Sequence, residues 1–202
     1  MQNLKKLDIK KIIYVLVLFS ASITLIISLY SYNPNDNSFF QYDSSLSKNN
    51  NFFGSFGAFL SDFLFRALGM TAYLIPITFL VWTTRVFDEK DYTSWFSVAL
   101  FPIMVIFFCF FSSFWINVDF QILPYGNYGF VGNGLNELFL FYFGHFPQNY
   151  VFSVLSVICL ILFILTFRLN KNTFFFFQKI IKNLILLLSF MFRFKKKLSL
   201  ND

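Results

Sequence analysis

The chain is poor in the residues from which soluble enzymes are built. Charged side chains make up 13% of its 202 positions, against about 25% in an ordinary soluble domain. It holds one histidine and two cysteines. Cys109 and Cys159 both fall inside apolar segments, where a thiol behaves as a small hydrophobe, so neither a structural disulfide nor a metal site is expected. No glycine is followed by lysine, which excludes a phosphate loop of the form G-x-x-x-x-G-K followed by Ser or Thr. Neither G-x-S-x-G nor H-E-x-x-H occurs. His145 stands alone beside Pro147 and reads as an interfacial polar residue. No catalytic residue, cofactor or metal is expected, and the chain is read as not an enzyme.

What is present is apolar. Hydrophobic residues make up 57% of the chain, 34 residues are Phe, and the mean hydropathy is +0.63. Four runs, 12–30, 67–84, 96–116 and 150–167, contain no Asp, Glu, Lys or Arg. Each approaches the roughly 20 helical residues that cross a bilayer core, and in lipid such runs must be helices to satisfy their backbones. Lys5, Lys6, Lys10 and Lys11 precede the first run, as in a signal peptide, but no A-x-A site follows it, so it reads as an uncleaved span. The absence of ionisable groups within the spans argues against an ion-coupled carrier.

Charge sets the expected orientation. With the N-terminus inside, only Lys48 and Arg66 of the 16 basic residues fall on the outer side, beside Asp36, Asp43, Asp62, Asp119 and Glu137. Both termini are therefore expected in the cytoplasm. Residues 1–170 read as one four-helix membrane domain, and 171–202 as a basic tail. The apolar stretch 183–192 is too short to span. The tail, with Lys195, Lys196 and Lys197, reads as an amphipathic helix on anionic lipid of the inner leaflet, with no direct nucleic-acid binding expected.

A repeat underlies the spans. GSFGAFLSDFLFRALG, from Gly54 to Gly69, and GFVGNGLNELFLFYFG, from Gly129 to Gly144, both fit G-x-x-G-x-x-L-x-D/E-x-L/F-x-x-x-L/F-G at an offset of 75 residues. Gly57 thus matches Gly132, and Asp62 matches Glu137. The expected fold is all-α: four transmembrane helices as two repeated hairpins, each with an interfacial helix on the outer face. The first outer helix should bend near Gly69 and then dive as span two, kinked at Pro76. Asp62 and Arg66 stand in the favourable i,i+4 order, whereas Glu137 has Phe141 four residues on. Ser20, Thr24 and Ser28 on span one form a small-residue face, as do Gly54 with Ala58 and Gly57 with Ser61, and such faces admit close helix approach. Residues 31–51 form a polar outer loop, opened by a turn at Asn33-Pro34-Asn35-Asp36.

These same stretches resemble the FtsK/SpoIIIE DNA translocases. Ser31 to Phe39, SYNPNDNSF, is similar to the family's S-Y-x-P-x-D-x-S-W/F, with Pro34 and Asp36 in place. Asn51, Gly54, Gly57, Ala58, Asp62, Leu64, Gly69, Ala72, Tyr73, Pro76, Trp82 and Arg85 hold matching positions in the block that follows, and Ser61 replaces the usual Ala. The resemblance covers about residues 10–170. It implies a four-span anchor domain in the bacterial inner membrane, at the division septum, acting in cell division and chromosome segregation. It also implies self-association as a hexamer and contact with other divisome membrane proteins. The family's linker and ATP-driven motor are not found before Asp202. The expectation is that a motor comes from another chain, that only the division role is kept, or that the chain is a truncated product. A small two-repeat transporter or channel is the alternative.

Overall fold

The computed structural model describes residues 9–44, 48–87, 95–115 and 123–167. The tail 171–202 and residues 88–94, between the second and third spans, lie outside the described residues. Among those described, the chain is helical, with no strand. Helix α1 is Ile9–Tyr30, α2 Gly54–Leu68, α3 Leu74–Phe87, α4 Trp95–Trp115, α5 Gly129–Phe143 and α6 Gln148–Phe167. A 3-10 segment, Gly69–Tyr73, joins α2 to α3.

Four helical stretches are long and apolar enough to cross a membrane: Ile9–Tyr30, Gly54–Arg85, Trp95–Phe114 and Gln148–Phe167. The 22 residues of α1 amount to about 33 Å at 1.5 Å each, enough for the hydrocarbon core. The chain is a multi-pass membrane protein. Its apolar side chains divide accordingly. Leu25, Leu29, Leu64, Phe65 and Ala72 form a buried cluster, while Leu16, Val17, Val154 and Leu160 face outward, as lipid-facing residues do.

The main pairings are α1 with α3 and α4 with α6, while α5 lies against α4 and α2. Large aromatics lock the second pair, where Phe111 stacks on Phe152 at 5.0 Å and Phe108 meets Phe163 at 6.4 Å. The helical stretch from Gly54 to Arg85 is broken at Gly69, whose φ of 59° and ψ of −143° leave the helical region. Residues on either side of α2 then meet the last turn of α1. Asn51, just before α2, donates through Nδ2 to the Ser28 carbonyl at 2.8 Å, and the Tyr73 hydroxyl, just after it, donates to the Leu29 carbonyl at 3.4 Å. Helix α2 therefore lies across the end of α1, and we call this the capped end of the bundle.

Two sequence expectations need correction. The bend near Gly69 falls where the sequence places it, at residues 69–73, but no second break is made at Pro76. Pro76 occupies the first turn of α3, where its missing N–H has no helical partner to lose. The packed stripe on α1 is Ser22, Leu25, Ser28 and Leu29. Ser20 is exposed and bonds only its own Val17 carbonyl. Ser22 is the residue that reaches across, donating to the Pro76 carbonyl at 2.8 Å.

Candidate functional site: a polar cap at one end of the bundle

Residues 31–44 and 48–53 fold back over the end of α1 instead of leaving it as an open loop. Two carboxylates organise this cap. Asp36 is buried and accepts the backbone N–H groups of Asn50 and Asn51 at 2.8 and 2.9 Å, joining the start of the cap to its end. The turn before it forms as the sequence suggests: the Asp36 N–H reaches the Asn33 carbonyl at 3.1 Å, and Pro34 stands within that turn. Asn37 and Asn49 exchange bonds at 3.0 Å in both directions. The Asn51 carboxamide ties the cap to α1 through the Ser28 and Ser31 carbonyls, and its Oδ1 accepts from the Phe53 N–H.

The second carboxylate, Asp62, fastens the cap to α2. It is 4% exposed. It accepts from the Ser38 hydroxyl at 2.5 Å, the Tyr32 hydroxyl at 3.3 Å, and the Arg66 Nε at 3.0 Å to each oxygen. Charge-assisted bonds of this kind are the strong ones, and the i,i+4 arrangement on α2 supplies the cation from the same helix. Arg66 also lies over the Phe40 ring at 4.9 Å. Burial, followed by the charge and hydrogen bond of Asp62, raises the Tyr32 hydroxyl above its ordinary value.

The glycines of the repeat serve different contacts. Gly57 is closed in by its own cap, since a Cβ there would lie 2.8 Å from the Asn51 Cγ and the Phe53 Cβ. The expected close approach of another helix at Gly57 is thus taken by the cap. Gly54 opens α2 with nothing near it. Gly69 and Gly129 meet backbone to backbone, and Gly132 backs onto the Cys109 carbonyl of α4. The second motif also ends in a break, at residues 144–147 between α5 and α6, but Gly144 keeps helical angles, φ −62° and ψ −14°, so the break is made without the positive φ of Gly69. Glu137 is exposed and receives one bond, from its own Asn133 at 2.9 Å. The matched acids therefore stand in opposite environments.

Sequence reasoning does not single out Ser38, Tyr32 and Ser31 as functional. They stand within SYNPNDNSF, which is the available signal, but their partners lie tens of residues away. Among the described residues, no group of His, Cys, Asp or Glu could hold a metal ion. The cap's carboxylates are occupied with backbone and hydroxyl donors, an arrangement that fixes shape.

Fold and cap define a multi-pass helical membrane domain closed at one end by an ordered polar segment. A model of the 4TM region of DNA translocase FtsK/SpoIIIE matches residues 8–175. The chain belongs to this family. It is 24% identical over 150 residues to a DNA translocase FtsK of Rickettsia bellii (strain RML369-C), covering 74% of this chain and 18% of that protein. It is 35% identical over 74 residues to a DNA translocase FtsK of Rickettsia typhi (strain ATCC VR-144 / Wilmington), covering 37% of this chain and 10% of the relative. A DNA translocase FtsK of Azospirillum brasilense is 37% identical over 69 residues, covering 34% and 11%. The chain thus spans less than a fifth of the length of these curated relatives. No solved structure matches it.

Proposed function

We propose that this chain is the membrane anchor and scaffold of an FtsK-like DNA translocase system, acting at the bacterial division septum in cell division and chromosome segregation. The family match across residues 8–175, on a bundle of four membrane-crossing stretches, is the observation that supports this reading most. The domain holds position and contacts other membrane proteins of the division site, with any translocase motor supplied by another chain. It lies in the inner membrane with both termini in the cytoplasm, as the distribution of lysine and arginine favours. Self-association, as a hexamer by the family resemblance, accompanies this role, and the basic tail 171–202 rests on anionic lipid. The carboxylates of the cap have structural partners, which suits a scaffold better than a turnover site.

The test is a crosslinked pull-down of the tagged chain from its native membrane, read by mass spectrometry. Recovery of division proteins together with a separate translocase motor is the expected result. Division proteins without a motor would reduce the role to a division scaffold. Recovery of neither, with solute uptake by vesicles holding the purified chain alone, would replace the proposal with a transporter.

A further inference from the structure

The cap carries a feature that its internal bonding does not use. Its tip, Phe39-Phe40-Gln41-Tyr42, presents three aromatic side chains that are 76%, 59% and 80% exposed. A polar loop standing in water does not ordinarily hold out such an apolar cluster, and exposed patches of this kind mark contact with a protein or a membrane.

The tip is held in place. The Ser38 N–H donates to the Gln41 carbonyl at 2.7 Å, and the Phe40 N–H to the Ser38 Oγ at 3.2 Å. The Asp43 N–H closes onto the Asn37 Oδ1 at 2.6 Å. Phe39 leans on Phe59 of α2 at 4.5 Å, and Phe40 covers Arg66. Ser38 itself is clamped to Asp62, and Asp62 to Tyr32, two residues beyond the end of α1. Helix α2, on which the tip rests, packs against α1, and residues on either side of it, Asn51 and Tyr73, bond the last turn of α1. The tip is therefore held close to the end of α1. It is held at the level where a membrane-crossing helix finishes, which is the headgroup layer, about 5–8 Å thick on each side of the core. Exposed aromatic rings suit that layer, where they favour the boundary between core and water.

We propose that Phe39, Phe40 and Tyr42 form a lipid contact that seats the cap in the headgroup region of the leaflet at the capped end. The cap then works as a collar, fixing how deeply α1 and α2 stand in the bilayer. This proposal rests on the cap's geometry and on the spans, and it holds whether or not the chain has a division role.

The experiment uses the full chain with Cys109 and Cys159 replaced by alanine and Tyr42→Cys carrying an environment-sensitive fluorophore. The protein is reconstituted alone into phosphatidylcholine–phosphatidylglycerol vesicles. Spin-labelled lipid with its label near the headgroup is expected to cut emission about twofold, in keeping with shallow interfacial burial. Lipid labelled deep in the acyl chains should quench less, and aqueous iodide little. Strong quenching by iodide with none by lipid would place the tip in water and overturn the proposal. Protection from both quenchers would show a protein surface, such as a second copy of the chain, covering the tip, and would overturn it equally. Phe39→Cys repeats the measurement at a second position should the first variant fold poorly.

Discussion

Gly69 and Gly129 stand backbone against backbone where the two halves of the bundle cross. A Cβ on Gly129 would lie 2.5 Å from the Gly69 nitrogen, and one on Gly69 would lie 2.7 Å from the Gly129 nitrogen. Both residues hold positive φ, 59° and 64°, and the adjacent Met70 N–H donates to the Asn127 carbonyl at 2.8 Å. The last glycine of the first motif thus packs on the first glycine of the second.

This contact makes a sharp prediction. Gly129→Ala meets a strained φ and a backbone clash together, and should cost about 2 kcal/mol or more. Gly134→Ala, further along the same helix α5, finds nothing within 4 Å and should be neutral or gain up to about 1 kcal/mol. Unfolding of both variants in detergent micelles decides the matter. Equal stability of the two would remove the crossing point from the account of the fold.

The matched acids predict opposite outcomes. Asp62→Ala leaves the Ser38 and Tyr32 hydroxyls and the Arg66 guanidinium without their shared acceptor, which should cost about 2–3 kcal/mol. Glu137→Ala loses one exposed local bond and should stay within about 0.5 kcal/mol. Hydrogen exchange reads the same contrast locally, since amides of the cap should lose protection in the first variant and keep it in the second. Protection of Asn50 and Asn51 unchanged by Asp62→Ala would mean that Asp36 holds the cap alone.

How far these features are legible in sequence follows from what each depends on. The spans can be read because lipid excludes charge, so a run such as 150–167 declares itself by composition, and α6 covers it. The family resemblance likewise rests on residues in line. The cap cannot be read in this way. Asp36 reaches Asn50 and Asp62 reaches Ser38, contacts set by the folded path and not by a period. Asp62 and Glu137 share a pattern position, yet one is buried under a loop and the other is exposed. Of the Ser20, Thr24, Ser28 stripe only Ser28 is packed, because small residues recur at helical spacing whether or not a partner faces them, and only the packing of α3 selects Ser22.

That selection gives a further prediction. Ser22→Ala removes the bond from α1 to the Pro76 carbonyl, and bonds between helices in a membrane are worth about 0.6–1 kcal/mol. Ser20→Ala removes only a bond to its own helix and should change stability by less than about 0.3 kcal/mol, within the usual range for surface changes. Thermal unfolding of the two variants in one detergent would show the difference. A larger loss from Ser20→Ala would return that residue to the packed face.

The Tyr32 hydroxyl ties alkaline stability to the cap. Its pKa is raised above the ordinary 10.0, first by burial and then by the charge and hydrogen bond of Asp62, with Asp36 adding to the rise and Arg66 opposing it. The folded state therefore holds this proton more tightly than the unfolded chain does. A group shifted in this direction contributes its full stability below the unfolded value and loses it as pH climbs toward the folded one. Tyr32→Phe keeps the ring against Phe65, at 4.9 Å in the native chain, but gives up the bond to Asp62, and should cost about 1 kcal/mol at neutral pH. Above about pH 10 the native chain must either carry a buried tyrosinate beside a carboxylate or unfold, so the gap between native and variant should close and then reverse. Groups common to both chains cancel in the difference. Denaturant unfolding of the pair from neutral pH to about pH 11 measures it. A gap that stays constant across that range would show that Tyr32 ionises as freely in the fold as out of it.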